Sequence, residues 1–150
     1  MFTNLITDVD GVLTDGGFYY SGEGKILKKF GPHDNDGFKM LVEMGIQPVA
    51  ISADMLGYSI TKKRMEDMGI PIHLVSASTR YKWINDRYDF RKIIFVGDGY
   101  FDIECIKASR YGVAPSNAPD IVKAAADFVT TSCGGNGVIL EIALSMMNEN

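Results

Sequence analysis

The stretch Leu5-Ile6-Thr7-Asp8-Val9-Asp10-Gly11-Val12-Leu13-Thr14-Asp15 decides the reading of this chain. A short apolar, strand-like run ends in two carboxylates two residues apart, followed by a glycine. Side chains along a strand alternate with period two, so Asp8 and Asp10 are expected on the same side, where the chain leaves a sheet and turns at Gly11. Two like charges held that close are costly unless a cation or a proton is shared between them. The chemistry this suggests is a Mg2+ site in which one carboxylate is a nucleophile and the other an acid/base. The plainer alternative is a turn, because Asp and Gly are common turn formers.

A second acidic cluster shifts the balance toward chemistry. Gly97-Asp98-Gly99-Tyr100-Phe101-Asp102 again follows a strand-like run, Lys92-Ile93-Ile94-Phe95-Val96. In an open parallel sheet, ligands bind outside the carboxyl ends of the strands, so acids at two such ends converge although about 90 residues separate them. Asp8, Asp98 and one backbone carbonyl would suffice for a Mg2+ ion, which keeps several waters and substrate oxygens.

Along the rest of the chain, short β-branched runs alternate with helix-period segments, the pattern of a parallel sheet covered on both faces. Strands are expected near residues 3–9, 47–52, 72–75, 92–96 and 111–114. Helices are expected over 37–44, capped by Asp34 or Asn35 and stopped by Gly45, and over 58–68, stopped by Gly69. Further helices are expected over 81–88, 101–109, 119–126 and 138–147. Residues 18–20 and 25–27 flank Ser21-Gly22-Glu23-Gly24, which reads as a β-hairpin. The fold class is therefore α/β, a doubly wound, Rossmann-like parallel sheet with a hairpin flap and no room for a cap domain, as one domain over residues 1–150.

These motifs resemble the haloacid dehalogenase-like phosphatases over nearly the whole chain. Asp8 to Gly11 meets that family's Asp-x-Asp-Gly motif, Ser52 its Ser/Thr at the end of the next strand, Lys82 its lysine, and Gly97, Asp98 and Asp102 its Gly-Asp-x-x-x-Asp. More narrowly, Asp10 to Gly16, then Lys28-Lys29-Phe30, and late Gly134-Gly135-Asn136-Gly137-Val138 are similar to the small sugar-acid phosphatases. That subgroup acts on 3-deoxy-octulosonate 8-phosphate or on nine-carbon, sialic-acid-type 9-phosphates. The resemblance implies Mg2+ held by Asp8, Asp98 and the Asp10 carbonyl, with Asp8 as nucleophile and Asp10 as acid/base. It further implies phosphate binding by the Ser52 hydroxyl, the Ala53 amide and Lys82, with Asp102 orienting the metal site. His33, Asp34, Asp54 and Arg64 are further candidates for contacting the sugar acid, each with a plain alternative as a solvated or turn residue. The glycine loop at 134–137 opens a helix, so its amides would suit a carboxylate unless the glycines serve only the turn. The chain departs from the octulosonate-type pattern at Ser52-Ala53-Asp54, where those enzymes read Thr-Gly-Arg, and Asp54 tilts the expectation toward a nine-carbon substrate. It also has Gly99 where many relatives have a second Asp.

Composition agrees with a cytoplasmic enzyme of this kind. A net charge of −4 without a basic run argues against nucleic acid or an anionic membrane as partner. The longest apolar runs are strand-sized, with no signal pattern at the amino terminus. Cys105 and Cys133 lack metal-type spacing and read as reduced thiols. Capless members of the resembling group assemble into tetramers in which a neighbour walls the site, so a homo-oligomer is expected, with Tyr19 and Tyr20 of the hairpin as contacts. Two other classes are weighed. A receiver domain would carry its phosphoacceptor Asp at the end of the third strand, where this chain has Leu74-Val75-Ser76. A weakly active or non-catalytic oligomerisation domain associated with sugar-nucleotide synthesis, of the CMP-sialic acid type, would tolerate loss of motif residues, yet all four motifs are present.

Overall fold

Alternation within the strands sets the layers. In the computed structural model, which describes residues 1–148, Leu5, Ile94 and Val96 point into one core, while their neighbours Ile6, Ile93 and Phe95 point into a second core on the opposite face. The strands are β1 (Asn4–Asp8), β2 (Thr14–Ser21), β3 (Gly24–Phe30), β4 (Gln47–Ser52), β5 (Ile72–Leu74), β6 (Ile93–Val96), β7 (Tyr111–Ala114) and β8 (Phe128–Val129). The helices are α1 (His33–Glu43), α2 (Tyr58–Met68), α3 (Arg80–Asn85), α4 (Ile103–Ala108), α5 (Asp120–Lys123) and α6 (Val138–Met147). Phe38 and Leu41 of α1, Met65 of α2 and Val138, Ile139 and Ile142 of α6 fill the first core. Ile84 of α3, Cys105 and Ile106 of α4 and Val122 of α5 fill the second.

Six strands form one sheet in the order β5-β4-β1-β6-β7-β8, with every neighbouring pair parallel. The order runs outward in both directions from β1, which makes β1 the switch point and places a crevice at the carboxyl ends of β1, β4 and β6. The doubly wound sheet expected from the sequence is therefore present, with β8 as an extra two-residue edge strand. Helix α2 has the expected bounds and ends at Gly69, whose φ of 71° lets the chain leave the helix. Helix α1 starts earlier than expected, at His33, and α3 and α5 are shorter. The antiparallel hairpin β2–β3 forms its own two-stranded sheet. Among the described residues nothing of domain size is inserted beside it, and no helix is long and apolar enough to cross a membrane.

Helices α1 and α6 lie against each other so closely that a Cβ on Gly37 would run into the backbone of Ile139 and Leu140. The same approach brings the Asp34 carboxylate of α1 to the first turn of α6, where Oδ1 accepts a hydrogen bond from the Ile139 amide at 2.9 Å. This satisfies one of the free amides at the helix start. The other oxygen, Oδ2, is buried without a partner. Burial pushes the Asp34 carboxyl from 3.8 up to about 6, against the opposing pull of the Ile139 amide, His33 and Arg64.

A carboxyl that titrates higher in the folded than in the unfolded chain makes stability fall as pH rises between the two values. The gap between 3.8 and about 6 corresponds to about 3 kcal/mol at full effect. Asp34→Asn, which keeps an acceptor for Ile139, is expected to be more stable than the parent above pH 6 by about 1–3 kcal/mol. That advantage should shrink toward pH 4. Urea unfolding of both proteins across that range reads it, and a difference independent of pH would contradict it.

Candidate active site

The nucleophile loop begins where β1 ends. Asp8 is the last strand residue, and the chain then folds back so that the amides of Val12, Leu13 and Thr14 all converge on the Val9 carbonyl. Asp8 and Asp10 both line the crevice, but through this tight loop rather than through strand alternation, because the strand stops before Asp10. Gly11 has a φ of 86°, and a Cβ there would collide with the Asp98 carboxylate. Glycine is thus required twice over, for the backbone angle and for the approach of the second acidic motif. Asn117 ties the loop down by donating to the Gly11 carbonyl at 3.1 Å and accepting from the Gly134 amide at 2.7 Å.

Asp8, Asp98 and Asp102 present oxygens that all lie within 4.8 Å of one another. Burial first, and then the charges of Asp102 and Asp98, push the Asp8 carboxyl well above its ordinary range. Asp98 is also raised, by burial and by Asp102, and it shares a hydrogen bond with Asp8. An all-oxygen donor set whose own charges repel suits a hard divalent cation. Asp102 is the most committed of the three. It accepts from the Gly99 amide at 3.0 Å and is ion-paired to Arg80, so it is suited to orienting the cluster.

Arg80 is the residue that sequence reasoning missed. It is 4 % exposed, its guanidinium pairs with Asp102, and it stands 3.7 Å from Asp8. Burial works against its charge, and the Asp8 and Asp102 carboxylates outweigh that. Lys82, expected at this place, is instead on the solvent side of α3, paired with Asp86 at 2.6 Å and 79 % exposed. The signal that separates them is that Arg80 and Ile84, four residues apart, share the buried face of α3, whereas Lys82 lies between them on the opposite side.

Ser52, at the end of β4, is buried, and its hydroxyl accepts from the Asp54 amide at 3.1 Å. Ser52, Ala53 and Asp54 all line the crevice, together with Ala77, Gly99, Tyr100 and Phe101, enclosing about 280 Å³. Asp54 is not free to meet a sugar. Its carboxylate takes Lys25 and Lys28, each at 2.8 Å, and the Gly57 amide at 3.1 Å. Burial pushes Asp54 up, but these bonds outweigh it and hold the carboxyl at about 2. The other expected sugar contacts lie away from the crevice. Asp34 caps α6, Arg64 donates to the Gly31 carbonyl at 3.2 Å, and His33 is exposed at the start of α1. The 134–137 loop spends its first amides on Asn117 and Val12, and its glycines permit close packing on the nucleophile loop.

Residues 80–142 match the haloacid dehalogenase-like hydrolase family. The 3-deoxy-D-manno-octulosonate 8-phosphate phosphatase of Haemophilus influenzae is 31% identical over 144 residues, covering 93% of this chain and 79% of that protein. A solved structure of the cobalt-bound deoxy-D-mannose-octulosonate 8-phosphate phosphatase from Haemophilus influenzae superposes with a TM-score of 0.85 at 30% identity, over 98% of this chain and 88% of that one. The octulosonate 8-phosphate phosphatase of Moraxella catarrhalis, solved with magnesium, phosphate and the sugar acid, shares the fold at a TM-score of 0.86 and 24% identity, over 98% and 86%. With the acidic motifs converging at the switch point of a parallel sheet, the chain belongs to the haloacid dehalogenase-like hydrolases and is a phosphatase, a phosphoric monoester hydrolase.

Proposed function

We propose that this enzyme hydrolyses the phosphate monoester of a sugar acid, an octulosonate 8-phosphate or a nine-carbon 9-phosphate, through an aspartyl phosphate on Asp8. The observation that carries this is the meeting of Asp8 and Asp10 with Arg80 and Ser52 in one crevice, with Asp98 clustered against Asp8. The substrate class is supported by relatives of that specificity that cover most of the chain.

A carboxylate attacking a phosphate dianion meets repulsion of about 4 kcal/mol per charge pair at contact if the effective dielectric is about 20. The donor set of Asp8, Asp98 and the Asp10 carbonyl would hold Mg2+, with Asp102 orienting it, and the bound ion would offset that repulsion by polarising the phosphoryl group. The remaining work falls to the chain. Arg80 adds positive charge beside the Asp8 oxygen, and the Ser52 hydroxyl, with the Ala53 amide, donates to phosphoryl oxygens. Asp8 forms the new bond to phosphorus as the bond to the sugar oxygen breaks, and Asp10 gives its proton to that leaving oxygen. Asp10 then takes a proton from the water that cleaves the aspartyl phosphate, which frees Asp8 as a carboxylate and returns Asp10 to its acid form.

A homo-oligomer, a tetramer in this reading, is supported by two features. Phe18, Tyr19, Tyr20, Ile26 and Leu27 of the hairpin are all exposed, and apolar side chains concentrated on one exposed element suit a subunit contact. In addition, among the described residues that line the crevice Arg80 is the one cation, and it is already paired. The carboxylate of a sugar acid would then find its counter-charge on a neighbouring subunit. A cytoplasmic location is supported by the two free thiols, one buried and one exposed.

Phosphate release from octulosonate 8-phosphate, neuraminate 9-phosphate and its deaminated analogue tests the reading. Release should require Mg2+, vanish on chelation, return when the ion is restored, and be abolished by Asp8→Asn. Silence from folded protein on the whole panel would overturn the substrate class, and release that survives in Asp8→Asn would overturn the mechanism.

The placement of Arg80 has its own test. Arg80→Ala should lower kcat by about 10²-fold or more, the size expected for removing a preorganised charge from a reacting anion. Lys82→Ala, which breaks only an exposed helix pair, should stay within about twofold of the parent. The reverse ranking in steady-state kinetics would return the role to Lys82.

A further inference from the structure

The least expected side chain near the site is Lys28. It lies on a hairpin strand whose apolar neighbours face solvent, yet its side chain is 0% exposed. Its ammonium nitrogen is 3.0 Å from each oxygen of Asp10, 2.8 Å from Asp54 and 2.9 Å from the Thr61 hydroxyl. An ammonium group has three N–H donors, and here each has an acceptor, on the nucleophile loop, on the loop after β4 and on α2. The Lys28 head is therefore unable to swing without breaking a buried bond.

The surroundings are built for this arrangement. A Cβ on Gly57 would press on the Asp54 carboxylate and would stand 2.8 Å from Lys28 Cε and 2.9 Å from Lys25 Cδ. Glycine at that position leaves the channel through which both lysine stems reach Asp54. Charge is balanced within the group, with Lys25 and Lys28 against Asp10 and Asp54. Burying an unbalanced lysine would be costly, and a fully hydrogen-bonded, neutral group avoids most of that cost. The hairpin is thereby fixed to the scaffold at the one carboxylate that must meet the leaving-group oxygen.

We propose that Lys28 is a positioning residue for catalysis: anchored by Asp54 and Thr61, it holds the Asp10 carboxyl group in the place from which, in its protonated form, it gives its proton to the leaving oxygen of the phosphate ester. The proposal rests on the assignment of Asp10 as acid/base made above. It separates Lys28 from residues that hold phosphate or metal, because its effect falls on the proton transfers of Asp10, of which the first depends on the leaving group. A misplacement of about 1 Å in such a group costs about 10²-fold, and general acid catalysis contributes about 10²–10⁴-fold in all.

Dependence on the leaving group tests this. Single-turnover rates, with enzyme in excess and Mg2+ present, are compared for the best sugar phosphate of the panel above and for p-nitrophenyl phosphate. The nitrophenolate leaves without a proton, whereas the sugar alkoxide does not. Lys28→Met should lose about 10-fold to 10²-fold on the sugar phosphate and less than about threefold on the aryl ester. Lys28→Arg, which keeps the charge, should recover part of the loss. Asp10→Asn is the reference and should show the same bias more strongly. Equal losses on both esters in a folded Lys28→Met would overturn the proposal and leave Lys28 a structural residue. If Lys28→Met does not fold, Asp54→Asn, which removes the anchoring charge, should show the same bias, and equal losses there would overturn it equally. Absence of the bias in Asp10→Asn itself would instead overturn the acid/base assignment, a failure distinct from that of Lys28.

Discussion

The repulsion among Asp8, Asp98 and Asp102 is the constraint around which the site is built. Their oxygens lie within 4.8 Å of one another in largely buried surroundings, and both Asp8 and Asp98 respond by holding protons more tightly than usual. Bringing them together requires backbone to approach backbone closely. Gly11 yields space to Asp98, and Gly97 yields space to Asp102. It also requires that β1 and β6 be neighbours with their ends level, which the register pairing Thr7 with Val96 provides. The sheet order is thus part of the site's chemistry, since any order that parts β1 from β6 would separate the two acidic motifs.

What the sequence revealed follows from how each signal is encoded. The acidic motifs were legible because each sits immediately after an apolar strand, and strand ends in a parallel sheet define where ligands bind. Helix α2 was legible to the residue because a glycine with positive φ ends it. Helix α3 was not, since six residues are fewer than two turns and no periodicity separates Arg80 from Lys82. Proximity in sequence pointed to both, and only the packing of Ile84 into the core selects the face that Arg80 shares. The edge strand β8, two residues long, is below the length at which alternation can be read.

Lys28 was hidden for a different reason. In the hairpin a shift of pairing between Tyr19–Leu27 and Tyr20–Lys25 breaks the alternation, and Ile26 and Leu27 are outside while Lys25 and Lys28 turn toward the protein. Periodicity identifies which side chains share a face but not which face is buried. The same ambiguity affected Asp34 and Arg64. A charged residue near a motif reads as a ligand contact, yet Asp34 serves as the cap of α6, and Arg64 is bonded to the Gly31 carbonyl. Buried polar groups are hydrogen-bonded wherever the fold allows, so internal demand accounts for charges that the sequence leaves free for substrate.

The charges around the crevice can be weighed as a set. Asp8, Asp10, Asp54, Asp98 and Asp102 face three cations, Arg80, Lys25 and Lys28. With all five carboxyl groups ionised, the excess of two negative charges equals the charge of one divalent ion, and it falls on the Asp8–Asp98 side, because Lys25 and Lys28 pair with Asp10 and Asp54. That division explains why the two buried cations differ in type. Arg80 lies beside Asp8 and Asp102, two mutually repelling carboxylates, where a guanidinium that stays protonated and spreads its charge over a plane serves best. Lys28 needs three divergent bonds from a single point, the geometry of an ammonium group. Exchanging the two residue types would preserve every formal charge and still weaken both sites, since one depends on the shape of a fork and the other on that of a tripod.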